Sequence, residues 1–463
     1  MRTTAILAAT LGLLLAGATA AAAAPDDETW LRARLAELDS PARLRELTAW
    51  PAWQAARGGG FLGLVPEFPS VPDSVPVAPE EAIPWLIARR EANLAAIAAA
   101  APQYPLRHAG RPLPAWSGRA PDGWSLVLDL SVPRAFLDAL ADGHVSADEA
   151  AAIAALPANR EMLAHRDALA YLPEPHPDVT DVAELMARVG AGDPLARIWC
   201  WLSPWNGFGY ADLVLHADAY RAQLDELATR REALTGEAIS RVAALAPDDV
   251  TFGDRFALTV GWGIRGWATP AMGGLNLEHV KDDWDLLLGT LTEETFHRLQ
   301  LVLVPTRDGG RAGSYEELAT ADTGDPALDK LHELLAYTVL EGTANLARGD
   351  LVADQVKDGA AAGAALLQRF VAEVVAAGDV DAADGLIDEG LRGNGPLYGL
   401  GWHLARELAA AEGPRAVGAR LRQGPVAFVV AAAAADRERL LGPAVLAAVR
   451  ALPGRGAAGQ AAE

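Results

Sequence analysis

The sequence predicts a mainly helical protein that carries a small β-sheet. Helical periodicity of apolar residues dominates up to about residue 245 and again from residue 283 onward. Between these blocks, "VTFGDRFALTVGWG" (250–263) alternates apolar and other residues, which indicates a half-buried strand. A short strand is also predicted at "SLVLDL" (125–130), and "IRGWATPAMGGLNLEHV" (264–280) is expected to add a strand and a Gly-Gly turn. The predicted fold class is therefore α+β with few strands.

The first residues are typical of a signal peptide. Arg2 precedes the apolar run "AILAATLGLLLAGA", and the small residues up to Ala24 offer a cleavage site. Export to the periplasm or the medium is the expected fate. Changes in composition divide the chain into four parts: a signal peptide (1–24), a helical N-terminal extension with Pro- and Gly-rich linkers (25–121), a main domain (122–450) and a flexible tail (451–463).

Charge and composition exclude several classes of partner. The net charge of −22 is opposite in sign to what phosphate backbones attract, so nucleic-acid binding is not expected. After signal cleavage, the longest uncharged apolar stretch, "PVAFVVAAAAA" (425–435), is too short to cross a bilayer. Cys200 is the single cysteine, which rules out an internal disulfide, and its surroundings "IWCWL" indicate a buried, inert thiol.

One predicted helix, "DDWDLLLGTLTEETFHRLQLVL" (282–303), carries an unusual polar patch. Five polar residues fall at helical spacing and share one face: Thr290, Glu293, Glu294, His297 and Arg298. Such spacing also describes a solvated face, but leucines flank the patch on the same face one turn before and one turn after. A buried helix that crosses a site fits this pattern better. Burying two carboxylates and an imidazole costs several kcal/mol unless a metal or basic groups compensate.

The spacing within the patch matches the needs of a metal ion. Two ligands at positions i and i+4 of a helix can reach one cation, while a Glu at i+1 faces the cleft as general base. Here Glu293 and His297 take the ligand positions, and Glu294 takes that of the base. A third ligand must come from elsewhere, and Glu341 on the helical stretch "ELLAYTVLEGTANLARGD" is the candidate.

These two segments carry a family resemblance. "LTEETFHRLQ" (291–300) followed by "LEGTANLA" (340–347) resembles the paired helices of gluzincin metallopeptidases. More closely, residues 124–450 resemble a bacterial family of proteins described as zinc-dependent peptidases. The resemblance implies a zincin-like architecture for residues 122–450, a peptide or protein substrate and Zn²⁺ as the metal. It also implies His297 and Glu341 as metal ligands, and Glu294 as the base that activates a metal-bound water.

The chain departs from the family pattern at one position, because Glu293 stands where the family has His. A Glu-His-Glu ligand set would leave Zn²⁺ formally neutral and weaken it as a Lewis acid, and carboxylate-rich sites favour harder ions such as Mn²⁺, Mg²⁺ or Ca²⁺. Three interpretations stay open: a variant hydrolase, a pseudopeptidase that acts as a secreted binding protein, or a site in which another histidine replaces the missing one. The candidate replacements are His279, His332 and His403.

Tyr398, in "GPLYGLGW", is a further candidate catalytic residue. Its hydroxyl would donate a hydrogen bond to the oxyanion that acyl hydrolysis creates. The alternative is a buried tyrosine with a structural partner. Taken together, the sequence predicts an exported, metal-dependent, peptidase-like protein, with the inactive binding protein as the alternative.

Overall fold

The computed structural model describes residues 118–168, 179–192, 209–261, 265–280, 284–304, 314–392 and 394–452. The predicted signal peptide, nearly all of the predicted N-terminal extension, Cys200 and residues 453–463 lie outside these ranges. Within them, many helices surround one four-stranded sheet, which confirms the α+β fold class. The finer assignment to a gluzincin architecture stays a prediction.

The strands and helices have the following bounds. The strands are β1 (Trp124–Asp129), β2 (Phe252–Thr259), β3 (Gly266–Ala268) and β4 (Gly273–Asn276). The helices before β2 are α1 (Ser131–Ala139), α2 (Ala147–Ala154), α3 (Pro157–Ala168), α4 (Val179–Gly190), α5 (Tyr210–Leu215) and α6 (Ala217–Leu245). After β4 come α7 (Leu277–Val280), α8 (Trp284–Leu303), α9 (Tyr315–Ala319), α10 (Pro326–Ala347), α11 (Asp354–Asp358) and α12 (Ala360–Phe370). The last helices are α13 (Ala383–Leu391), α14 (Pro396–Glu412), α15 (Ala416–Leu421), α16 (Pro425–Ala435) and α17 (Pro443–Ala451).

Short 3₁₀ and π-helical segments complete the secondary structure. They are the 3₁₀ turns Leu140–Asp142, Gly349–Leu351 and Val380–Ala382 and the π-helical turn Val371–Ala376, which continues α12. A capping box between Ser146 and Glu149 is present at the start of α2. The final helix runs through Ala451 and Leu452 is buried, so the tail predicted to begin at residue 451 is ordered over its first two residues.

The sheet has the strand order β1-β2-β4-β3. Strands β1, β2 and β4 are parallel neighbours, and β3 pairs antiparallel with β4 at the end of the sheet. Phe256, Ala257 and Leu258 are all fully buried. Because successive side chains of a strand point to opposite faces, both faces of β2 are covered there, and the prediction of a half-buried strand is wrong for this half of it.

The predicted Gly-Gly turn is also wrong. The turn between β3 and β4 runs from Thr269 to Met272, where the Thr269 amide donates to the Met272 carbonyl oxygen at 2.9 Å. Gly273 and Gly274 instead lie inside β4. A Cβ on Gly273 would overlap the ring of Phe256, and one on Gly274 would overlap the indole of Trp267. The glycines therefore leave room for aromatic side chains against the strand.

Helices α10 and α14 cross with their backbones in direct contact. A Cβ on Gly342 would overlap the backbone of Gly401, and a Cβ on Gly401 would overlap the carbonyl oxygen of Thr338. Glycines allow this close approach because they carry no side chain. Gly342 follows Glu341 and Gly401 lies one turn after Tyr398, so the crossing fixes the relative position of two residues that the sequence singles out.

No helix in the described part of the chain combines the length and the apolar composition needed to span a bilayer.

Candidate metal centre

The structure brings the three predicted metal ligands together. Helix α8 supplies Glu293 and His297, one turn apart, and α10 supplies Glu341. One ligand atom from each of the three lies within 4.8 Å of the other two. Their side chains are only 14%, 10% and 14% exposed, so the polar patch is buried as predicted. Three converging donors shielded from solvent form a group that could hold a metal ion.

The separation of His297 and Glu341 suits a shared cation. The His297 Nε2 and Glu341 Oε2 atoms are 3.6 Å apart. This distance is too long for a good hydrogen bond. Two ligand atoms that each lie about 2.1 Å from a tetrahedral zinc ion are about 3.4 Å apart. The pair is therefore spaced for an ion between the two atoms.

The orientation of the His297 ring is fixed by Gln300. The Gln300 Nε2 atom donates to the Leu340 carbonyl oxygen at 2.7 Å and to Thr343 Oγ1 at 2.8 Å. Because a carbonyl only accepts, the amide oxygen of Gln300 must face His297, whose Nδ1 lies 2.9 Å away and donates to it. In a neutral ring, this leaves the lone pair on Nε2, which faces Glu341. Such a partner behind the imidazole is the usual support of a histidine ligand.

Glu293 has basic and amide partners of its own. Arg348 Nη1 donates to its Oε2 at 3.1 Å, and Asn345 Nδ2 donates to its Oε1 at 3.2 Å. The Arg348 side chain is 6% exposed, so this is a buried ion pair. Asn345 also donates to the Glu341 backbone oxygen at 3.0 Å. Glu293, at the position where the resemblance predicts a histidine, is thus held on both oxygens by residues at the C-terminal end of α10.

Crowded carboxylates shift the protonation of the site. Burial raises the pKa of Glu294 to about 8, against the attraction of His297 and with help from the charges of Glu293 and Glu341. Burial lowers the pKa of His297, but Glu341 and then the other two glutamates outweigh burial and raise that pKa to about 10. Near neutral pH the site therefore holds protons on both groups, as a cluster of negative charge requires.

A cavity of about 90 Å³ opens between the cluster and the end of the sheet. Glu293, Glu294, His297 and Glu341 line it on one side. Strand β3 lines the other side with Gly266, Trp267 and Ala268. A Cβ on Gly266 would lie 2.7 Å from Glu294 Oε1, so the carboxylate rests directly on the strand. His165, Arg265, Thr290, Tyr315, Leu391, Asn394 and Tyr398 complete the lining.

Two tyrosines border this cavity and differ in their contacts. Tyr398, predicted from the sequence as catalytic, has its pKa raised by burial, by the charges of Glu341 and Glu293, and by a hydrogen bond to Glu341. The Tyr315 ring stands edge-on to His297 with centroids 5.3 Å apart. Its buried hydroxyl has no hydrogen-bond partner among the described residues. Tyr315 is therefore the better placed of the two to donate to a ligand, although no local sequence pattern points to it.

Two of the three proposed replacement histidines, His332 and His403, do not join the cluster. The His332 Nδ1 atom lies 3.0 Å from the Ala319 carbonyl oxygen, and His403 Nε2 lies 2.9 Å from Asp436 Oδ1. Neither lines the cavity. The side chain of His279 lies outside the described part. Arg298, on the predicted polar face, turns away to Asp254, with Nε–Oδ2 and Nη2–Oδ1 distances of 2.7 and 3.0 Å.

No family model, curated protein or solved structure matches this chain. The likeness to gluzincin peptidases therefore stays a prediction from the two helical segments. A functional assignment depends on the geometry of the chain's own side chains.

Proposed function

We propose that this protein is a metal-dependent hydrolase that cleaves peptides. The observation that carries the proposal is the convergence of Glu293, His297 and Glu341 within 4.8 Å, beside a cavity lined by a further carboxylate. His297 and Glu341 fit a metal ion by their spacing, and Gln300 supports the histidine as a ligand. A bound ion would polarise the scissile carbonyl and lower the pKa of the attacking water.

Arg348 supports the proposal by offsetting the charge of Glu293. Two histidines and one glutamate leave a divalent ion with a net single positive charge. Two glutamates and one histidine leave none, but the Arg348 guanidinium, 3.1 Å from Glu293, restores it locally. Zn²⁺ is the first candidate metal. The second carboxylate also makes Mn²⁺ or another hard divalent ion acceptable.

Glu294 is the proposed general base. It lies in the cavity but outside the three-ligand group, and its carboxylate rests against β3. Ionised by the charge of a bound ion in spite of its raised pKa, it would take a proton from the attacking water and deliver it to the departing amine. The Tyr315 hydroxyl would donate to the oxyanion that develops on the carbonyl. Tyr398, which forms a hydrogen bond with Glu341, would then hold that metal ligand in position.

The peptide substrate follows from the position of β3. This strand ends the sheet, with β4 as its neighbour on one side. An extended peptide can add to such an edge through backbone hydrogen bonds. Gly266, Trp267 and Ala268 would then lay the peptide along the cavity next to Glu294.

One observation favours the alternative, a binding protein without catalysis. Arg348 and Asn345 each donate to an oxygen of Glu293, so both oxygens of that carboxylate accept a hydrogen bond without a metal ion. If Glu293 does not ligate, His297 and Glu341 remain as two ligands, which is fewer than catalytic zinc sites use. The cavity and the edge strand would still bind a peptide.

Metal content and peptide cleavage, measured on the same preparations, separate these functions. Chelated protein is reloaded with Zn²⁺ or Mn²⁺, bound metal is counted by mass spectrometry, and cleavage is followed with a quenched fluorescent peptide library. Glu341→Gln should lose metal, and Glu294→Gln should keep metal and lose cleavage by about 10²- to 10⁴-fold. Glu232→Gln, an exposed glutamate on α6, serves as the matched control.

The two functions predict different results for the wild-type protein. One equivalent of metal together with cleavage supports the hydrolase. Peptide binding without metal or cleavage supports the binding protein. Stoichiometric metal that survives Glu341→Gln would contradict the proposed centre.

A further inference from the structure

A second cavity, of about 290 Å³, lies along the first half of α10. Its lining on this helix follows one stripe at helical spacing: Pro326, Asp329, Lys330, Glu333 and Tyr337. The end of α9 and the residues after it (319–321) close a second side, and Val380 closes a third. None of these residues lines the cavity of the metal centre.

Glu333 is the unusual group in this second cavity. Its side chain is only 8% exposed. Oε2 accepts a hydrogen bond from Lys330 Nζ at 2.8 Å. Oε1 is buried and has no hydrogen-bond partner among the described residues. A buried carboxylate oxygen without a donor is costly, so Glu333, which lines the cavity, would gain from a donor that reaches this atom.

Lys330 cannot supply that donor, because its ammonium group is already shared. Nζ donates to Glu333 Oε2 and, at 2.7 Å, to Asp384 Oδ1. One lysine is thus set against two carboxylates, and Asp329 adds a third negative charge to the lining. Burial raises the pKa of Glu333 in spite of the hydrogen bond from Lys330. The cavity therefore favours a cation and disfavours an anion.

The donors do not suit a metal ion. Metal ions are held by several converging donor atoms, and in the described ranges the Glu293 group alone has three such side chains. Ala319, Ala321, Pro326 and Val380 give the cavity an apolar lining instead. Such a mixture of one unpaired acceptor and small apolar groups suits an organic cation with N–H donors and a short hydrocarbon stem.

We infer that this cavity is a binding site for a small organic ammonium ion, which donates an N–H hydrogen bond to Glu333 Oε1. The hydrocarbon stem of the ligand packs against Ala319, Ala321 and Val380. The site does not depend on the proposed hydrolase function, since it shares no lining residue with the metal centre.

The test uses n-butylammonium as the probe, titrated calorimetrically into the full chain. Two matched solutes accompany it: n-butanol, which keeps the stem without the charge, and tetramethylammonium, which keeps the charge without an N–H donor. Wild type should bind n-butylammonium saturably at one site and bind both other solutes at least about tenfold more weakly. Glu333→Gln should weaken n-butylammonium binding by about tenfold or more.

Glu232→Gln is the control variant, because it changes the net charge equally at an exposed position on α6 that does not line this cavity. Its affinity for n-butylammonium should stay within about threefold of wild type. Absence of saturable binding to wild type would overturn the inference, as would equal binding of n-butanol or an unchanged affinity in Glu333→Gln. If Glu333→Gln fails to fold, the ranking of the three solutes on wild type decides alone.

Discussion

The ion pair between Glu293 and Arg348 makes a sharp prediction for the double variant Glu293→His, Arg348→Met. The pair is 3.1 Å long, with side chains 14% and 6% exposed. Removing one member of a buried pair leaves the other charge uncompensated and costs about 3–5 kcal/mol. Each single variant should therefore lose about that much unfolding free energy. The double variant should lose clearly less than the sum, with a coupling of about 2 kcal/mol or more.

The charge of Arg348 should also determine how tightly the variants bind zinc. Adding the usual metal–oxygen distance of about 2.1 Å to the 3.1 Å ion pair puts Arg348 Nη1 at most about 5 Å from an ion bound by Oε2 of Glu293. With an effective dielectric constant of about 20, repulsion at that distance is about 3 kcal/mol for each unit of ion charge. Glu293→His alone exposes the ion to this repulsion and should gain no affinity. The double variant removes the repulsion and should bind Zn²⁺ at least about tenfold more tightly than wild type.

Urea unfolding and competition with a chromophoric chelator measure the two quantities. Arg422→Met is the control, because it removes an arginine whose partner Asp249 is largely exposed, and it should cost about 1 kcal/mol or less. The reasoning is refuted if Arg348→Met is as mild as this control. It is also refuted if Glu293→His binds zinc as tightly alone as in the double variant.

Three further predictions concern other parts of the molecule. Gly342→Ala should destabilise the protein by about 2 kcal/mol or more in urea, because its Cβ would overlap Gly401, and a neutral result would contradict the close helix crossing. Tyr315→Phe should lower kcat for peptide cleavage by about tenfold or more with metal content unchanged, and unchanged kcat would remove it from the mechanism. Burial raises the pKa of Asp436, but hydrogen bonds, first from His403, hold that pKa below its usual value. The stability it contributes is present above about pH 4 and lost as pH falls further, so Asp436→Asn should cost about 2 kcal/mol at pH 7 and progressively less in acid.

The central pair of helices could be predicted because its signals are local. Glu293 and His297 are one turn apart, and the leucines that flank them on the same face indicate that the patch is buried. Asn345 and Arg348 could also have been predicted. They lie four and seven residues after Glu341, so helical spacing puts them on its face of α10 and at the end of that helix. Gln300 likewise lies three residues after His297. Residues at helical spacing from a predicted ligand are therefore the first place to look for its partners.

Other parts of the site carry no such signal. Tyr315 reaches His297 from α9, and β3 reaches Glu294 through sheet pairing with β4. These contacts depend on how distant segments pack. The Gly273-Gly274 pair shows the same limit, because the residues that require glycine there are Phe256 and Trp267. A Gly-Gly pair in a turn and a Gly-Gly pair in a strand look the same in the sequence. They can be told apart only when the neighbouring side chains are known.

The electrostatics of the centre explain why a glutamate is tolerated at position 293. Three glutamates meet there, and a buried cluster of that kind needs positive charge. Arg348 supplies it for Glu293 through a side chain that is 6% exposed, less than the 14% of the glutamate. Glu294 and Glu341 are left with His297; burial raises the pKa of Glu294 to about 8 and the glutamates raise that of His297 to about 10, which favours a proton on each group. The charge of Glu293 is therefore neutralised by the arginine. The charges of Glu294 and Glu341 are offset instead by protons on Glu294 and His297, which a divalent cation can displace.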